Sequence, residues 1–140
     1  MTTFIDTSVI FSVKNSHERF SSWSEAALER ADPPLVISDI VFSELSAVAA
    51  SIDEVILLID DMNLEQVRPS RQALFIAGQA FLKYKKASES SKLRKLPDLL
   101  IGAHSLAEDC PLITTNPRDI RSYFPKLQII CPDELVKLGK

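Results

Sequence analysis

LPDLLIGAHSLAEDCPLITTNPRDI, residues 96–120, is the stretch from which the rest of the chain is read. Proline has no N–H to lose in the first turn of a helix, so Leu96-Pro97-Asp98 predicts a helix start, and the apolar positions after it carry the helix to about Glu108. Leu112 to Thr115 is short and apolar-rich, which predicts a buried strand, and Asn116-Pro117 stops it just before Asp119. A helix feeding into a buried strand is the unit of an α/β fold. Asp98 and Asp119 therefore stand at element ends, and in an open parallel sheet the carboxyl ends of strands border the crevice where ligands bind. The expectation is that these two acids meet Asp6 and Glu44 there, four carboxylates far apart in sequence gathered around a divalent cation.

The same alternation extends in both directions. Thr2 to Ile5 predicts a first strand, stopped by the cap-forming residues Asp6-Thr7-Ser8, with a helix following to about Val13. Ser16 to Arg30 sets charged residues around an apolar stripe of Phe20, Trp23, Ala27 and Leu28, which predicts a surface helix ended by Asp32-Pro33-Pro34. Leu35 to Ile37 predicts a second strand, with Ser38 capping a helix over Asp39 to Ala50. Ser51 and Glu54 have capping-box spacing and open another helix, to about Asn63. A weaker strand follows at Leu64 to Val67, then the longest helix over Ser70 to Ala87. After the central stretch, Leu127 to Ile130 predicts the last strand. Strands alternating with helices call for a three-layer α/β/α sandwich with a central parallel sheet, in one domain spanning 1–140.

Totals narrow the function. A chain of 140 residues, 46% hydrophobic, has the length and apolar content for one continuous core. A net charge of −3 argues against holding nucleic acid by charge alone and fits a cation site better. Cys110 and Cys131 stand apart with no metal-ligand spacing, and with only two histidines a zinc site is not expected. That cysteine usage, and an N-terminus without a basic region followed by an apolar core, predict a cytoplasmic protein without a signal peptide. No window reaches membrane-spanning length.

Each acid has an ordinary reading beside the functional one. Asp6 is placed to cap a helix, Asp98 to complement a helix dipole, and Asp119 to cap after Asn116-Pro117. Glu44 resists such a reading: its helical neighbours are Ile40, Val41, Ala47 and Val48, so its carboxylate falls on an apolar stripe, where a charge needs an arginine partner or a metal. Asp60, Asp61, Glu65, Asp109, Asp133 and Glu134 read as surface charges. His104 points away from Asp98 and reads as a satisfied or exposed histidine, and the two cysteines read as small core residues.

A basic run forms a separate signal. Lys83, Lys85, Lys86, Lys92, Arg94 and Lys95 with one acid, Glu89, make that segment +5, so a chain of −3 leaves −8 for the remainder. Placed before Asp98, these cations are candidates to carry a phosphate backbone toward the acids. A solubilising helix end that complements the C-terminal dipole explains them equally well.

Together IDTSVI around Asp6, VFSEL around Glu44, LPDLLIGAHS around Asp98 and TTNPRDI around Asp119 resemble the four motifs of PIN-domain ribonucleases, especially the VapC-type toxins of toxin–antitoxin pairs. The resemblance covers nearly the whole chain, in the family's order and alternation of elements. It implies a parallel α/β/α fold and carries binding of Mg²⁺ or Mn²⁺ for RNA cleavage onto Asp6, Glu44, Asp98 and Asp119. Thr7 or Ser8, Thr115 and Asn116 match positions that support the acids. It also implies a cognate antitoxin whose tail lies across the site, with helices Ser16 to Arg30 and Ser51 to Asn63 offering a docking groove and a homodimer surface.

The chemistry expected is hydrolysis of RNA within the chain, leaving 5′-phosphate and 3′-hydroxyl ends. Asp6 and Asp98 are then the most direct ligands, and Glu44 or Asp119 holds a second ion or orients the water. Two readings from other classes stand beside it. A phosphotransfer receiver needs a further acid next to the first strand, and position 8 is serine. A PIN-like module that only binds RNA or protein is marked by a missing acid, and all four are present here.

Overall fold

The computed structural model describes residues 2–87 and 95–136. Its core is one sheet of five short strands, β1 (Thr3–Ile5), β2 (Leu35–Ser38), β3 (Leu64–Val67), β4 (Leu112–Ile113) and β5 (Ile129–Ile130). All neighbours run parallel, in the order β3-β2-β1-β4-β5. β1 and β4 are buried throughout, as a sheet covered on both faces requires. Helices α1 (Thr7–Lys14), α2 (Ser21–Arg30), α3 (Asp39–Ser46), α4 (Ile52–Asp61), α5 (Arg71–Ala87), α6 (Leu96–Ala107), α7 (Arg118–Tyr123) and α8 (Asp133–Val136) surround the sheet, completing a three-layer α/β/α fold.

Strand order fixes where a ligand belongs. The chain leaves β1 toward β2 on one side, and β4 returns to pair with β1 on the other, so the winding reverses between β1 and β4. Such a switch point opens a crevice at the carboxyl ends of its two strands. Here those ends lead directly into Asp6 and Thr114.

Several boundaries differ from the sequence expectation for local reasons. Instead of one helix over Ser16 to Arg30, α2 begins only at Ser21, because side chains take the backbone donors that a helix needs. The Asn15 amide oxygen accepts from the His17 N–H at 3.1 Å, and the Glu18 carboxylate from the Phe20 N–H at 2.8 Å. The helix expected to reach Ala50 ends at Ser46, whose hydroxyl donates back to the Phe42 carbonyl at 2.8 Å. Ser51 does cap α4, accepting from the Glu54 N–H at 3.2 Å while the Glu54 carboxylate accepts from the Ala50 N–H. Ser38 occupies the cap position of α3 but accepts no cap bond; its hydroxyl is paired with His104 instead. Strands β4 and β5 are two residues each, shorter than the apolar runs that contain them.

One close approach sets the position of α7. A Cβ on Gly102 would come within 2.7 Å of the Phe124 ring and 3.1 Å of the Ile120 side chain. Only glycine lets α6 and the end of α7 pack at this distance, and α7 is the element that carries Asp119.

Candidate active site

Asp6 lies at the centre. It is the N-cap of α1, 3% exposed, with one carboxylate oxygen accepting from the Thr7 N–H at 2.9 Å. Its other oxygen accepts from the Ser8 hydroxyl at 2.8 Å and the Thr114 hydroxyl at 2.7 Å. Register explains the Thr114 bond: Ile5 pairs with Ile113, so the next residues, Asp6 and Thr114, come side by side. Burial pushes the Asp6 pKa above the usual carboxylate range, and the hydrogen bonds from Thr114, Ser8 and Thr7 pull against it.

Glu44 is half-buried on α3, as its place on the apolar stripe predicts. Its partner among the described residues is the Thr7 hydroxyl, which donates to it at 2.6 Å, rather than an arginine. Thr7 therefore bridges the two acids, backbone to Asp6 and side chain to Glu44. The Glu44 pKa is raised by burial, with the charge of Asp6 adding to the rise and the Thr7 bond opposing it.

Asp98 sits in the first turn of α6, where the helix dipole favours a negative charge. Its pKa is nonetheless raised to about 7, first by burial and then by the charges of Asp6, Glu44 and Asp119, with Lys95 opposing. One acid on α6 thus feels three from α1, α3 and α7. Asp119 is in the first turn of α7 and pairs with Lys95, Nζ to Oδ2 at 2.6 Å. That pairing raises the Lys95 pKa and keeps the amine charged.

The supporting hydroxyls fall partly elsewhere than the sequence placed them. Thr7 and Ser8 both donate to the acids. Thr115 and Asn116 take part through their backbone: the Thr115 N–H donates to the Ser8 hydroxyl at 3.1 Å and the Asn116 N–H to the Thr114 hydroxyl at 2.9 Å. Thr114 itself was not singled out by sequence; its signal is the alternation of side chains along the strand, readable only once the β1–β4 register is known. Of the basic run, Lys83 and Lys85 are exposed on α5, whereas Lys95 is drawn into the acids. Lys92, Arg94 and the Lys86 side chain lie outside the described residues.

The donors suit one kind of ligand. Carboxylate and hydroxyl oxygens select hard dications such as Mg²⁺ and Mn²⁺, and a cluster whose charges raise one another's pKa is short of positive charge. Among the described residues, no three His, Cys, Asp or Glu side chains stand close enough to clasp an ion as they are. Asp6, Glu44 and Asp119 are each turned toward a protein donor, Asp6 to Thr114 and Ser8, Glu44 to Thr7, Asp119 to Lys95.

The remaining polar residues are structural. His104 is buried, paired through Nδ1 with the Ser38 hydroxyl at 2.8 Å and set edge-on to Phe4. Cys131 is buried and Cys110 half-buried, both as free thiols. The six acids read as surface charges are all exposed, Glu134 in an ion pair with Arg19.

The PIN-domain family model matches residues 3–124, so this chain belongs to the PIN-domain family, which supports a nuclease role. No curated protein sequence matches the chain. Among solved structures, VapBC-1 of nontypeable Haemophilus influenzae is similar at 20% identity, over 94% of this chain and 98% of that one, with a TM-score of 0.68. VapBC2 of Rickettsia felis, solved bound to a DNA fragment from their promoter, is similar at 22% identity over 94% and 98%, TM-score 0.65. Mycobacterium tuberculosis VapC20, described as a Sarcin-Ricin loop cleaving toxin, is similar at 12% identity over 86% and 94%, TM-score 0.61. At these identities the likeness is one of fold.

Proposed function

We propose that this chain is the toxin of a type II toxin–antitoxin pair, an endoribonuclease that uses Mg²⁺, with Mn²⁺ as a substitute, and acts in the cytoplasm. The observation that carries the reading is four acids from separate elements brought to the switch point: Asp6 and Glu44 bridged by Thr7, Asp119 paired with Lys95, and Asp98 three residues beyond Lys95. Membership of the PIN-domain family and the fold shared with VapC20 support RNA as the substrate class.

In this reading Asp6, Asp98 and Glu44 hold the ion. A bound dication supplies neutralisation of the phosphodiester charge and a lowered pKa for an attacking water. Ser8 and Thr114 hold the Asp6 oxygens and Thr7 holds Glu44, so an ion is bound as these carboxylates turn from their hydroxyl partners toward it. Asp119 stands at the edge, where it orients water or substrate. Cleavage leaves a 5′-phosphate and a 3′-hydroxyl.

The antitoxin docks, in the same reading, along an apolar groove of roughly 310 Å³ walled by Phe11, Leu45, Val48, Ala49, Val55 and Leu58. α4 lines it as the sequence suggested; of the segment Ser16 to Arg30 only Glu18, ahead of α2, does so, and α1, the α1–α2 connection, α3 and the turn after α3 supply the rest. Phe11 lies one helical turn beyond Thr7, so a tail leaving the groove at that end reaches the acids. Homodimer formation uses the exposed apolar stripe of α5, Leu74, Phe75 and Leu82.

Replacing Asp98 by Asn tests the reading. RNA cleavage at saturating Mg²⁺ is expected to fall at least about a thousandfold, the several kcal/mol that a charged ligand set contributes, while the circular dichroism spectrum is kept. Cleavage retained in a folded Asp98→Asn protein would refute it.

A further inference from the structure

Lys95 has no explanation in the helix it precedes. It occupies the N-cap position of α6, where a cation opposes the helix dipole and a lysine side chain accepts no N–H. Its ammonium reaches across to α7 and meets Asp119 at 2.6 Å, both side chains about a third exposed at 29% and 35%. Ion pairs at this exposure add little stability, so the fold does not require the contact. Its charge also acts on Asp98, three residues along its own chain, so two of the four acids feel it.

We propose that Lys95 is a resident cation of the acidic cluster: it occupies Asp119, so the site accepts one dication, on Asp6, Glu44 and Asp98, and its ammonium faces the substrate phosphate beside that ion. The inference rests on the nuclease reading and deepens it. A charge-assisted bond of this length takes an oxygen lone pair that a second ion would need. A second dication at Asp119 would also meet a fixed positive charge at close range, which even at a dielectric near that of water weakens its binding about tenfold or more. For the phosphate the sign is opposite, because the ammonium attracts what the acids repel.

Mn²⁺ titration of the full chain, followed by calorimetry, tests the inference. The unaltered protein is expected to bind one ion, Lys95→Met and Lys95→Gln two, and Lys95→Arg one. In parallel, binding of a fluorescein-labelled single-stranded RNA without metal is expected to weaken several-fold in Lys95→Met and Lys95→Gln and to be kept in Lys95→Arg. More metal with less RNA is the signature, since a merely structural lysine lowers both. Two ions on the unaltered protein, or Mn²⁺ stoichiometry unchanged in Lys95→Met and Lys95→Gln, overturns the role of Lys95 and leaves the nuclease reading standing. Absence of Mn²⁺ binding in every protein overturns the nuclease reading and this inference with it.

Discussion

Two polar patches are buried at the carboxyl ends of the strands, and α6 contributes to both, but their electrostatics differ. At the end of β2, Ser38 and His104 make a closed pair. Burial lowers the His104 pKa, so the ring stays neutral and one hydroxyl meets its need. At the ends of β1 and β4, Asp6, Glu44, Asp98 and Asp119 bring like charges together, and among the described residues hydroxyls and Lys95 only partly compensate them. A buried polar group is therefore no sign of function by itself. An accumulation of one charge that the protein leaves short of counter-charge is such a sign, because only a ligand completes it.

The sharpest way to break the comparison is through pH. Asp98 has a folded pKa of about 7 against an ordinary value of 3.8, so the metal-free folded state holds its proton more tightly than the unfolded chain does. The stability this lends is complete below about pH 4 and is lost as pH rises through 7, on the order of 4 kcal/mol at most. Asp98→Asn, which cannot ionise, should match the unaltered protein near pH 4 and exceed it in urea unfolding at pH 8. His104 works in the opposite direction at mildly acid pH, but it does so in both proteins and cancels in the difference. Adding millimolar Mg²⁺ at pH 8 should raise the melting temperature of the unaltered protein and leave that of Asp98→Asn nearly unmoved. A pH-independent difference between the two would mean that the acids are not coupled.

Thr114→Val comes next. It removes a hydroxyl donor from a buried carboxylate, at a cost of about 2 kcal/mol in urea unfolding. It also frees Asp6 to rotate, so cleavage should fall as well. Unchanged stability would mean that water replaces the hydroxyl. Ser38→Ala should have the smallest effect, about 1 kcal/mol of stability with RNA cleavage unaltered. Cleavage lost in Ser38→Ala would show that the two patches are one site.

Particular residues show how far the chain could be read. The stripe around Glu44 marked it as an acid out of place, and the half-buried carboxylate bears that out, although threonine rather than arginine holds it. The order of the five strands and of α1 to α6 was legible, since periods of two and 3.6 residues need only a few neighbours; α7 and α8, six and four residues long, were not expected, being too short to show a period. The late start of α2, at Ser21 rather than Ser16, was not legible, because Asn15 and Glu18 act through side-chain bonds to the backbone that leave the hydrophobic period intact. Lys95 was legible as charge but not as a partner. Its place in a basic run suggests a phosphate-facing cation, and the contact with Asp119 depends on how closely α7 packs on α6 at Gly102.

By itself the sequence determined the alternating elements, the class of fold and the kind of donor, because apolar periodicity and the chemistry of carboxylates are local properties. Tertiary structure alone decided that Thr114 rather than Thr115 reaches Asp6, that Ser38 serves His104 rather than its own helix, and that Lys95 meets Asp119. Each of those outcomes hangs on strand register or helix approach between residues far apart in the chain. Burial of both faces of the sheet sets that geometry, and no short stretch of residues encodes it.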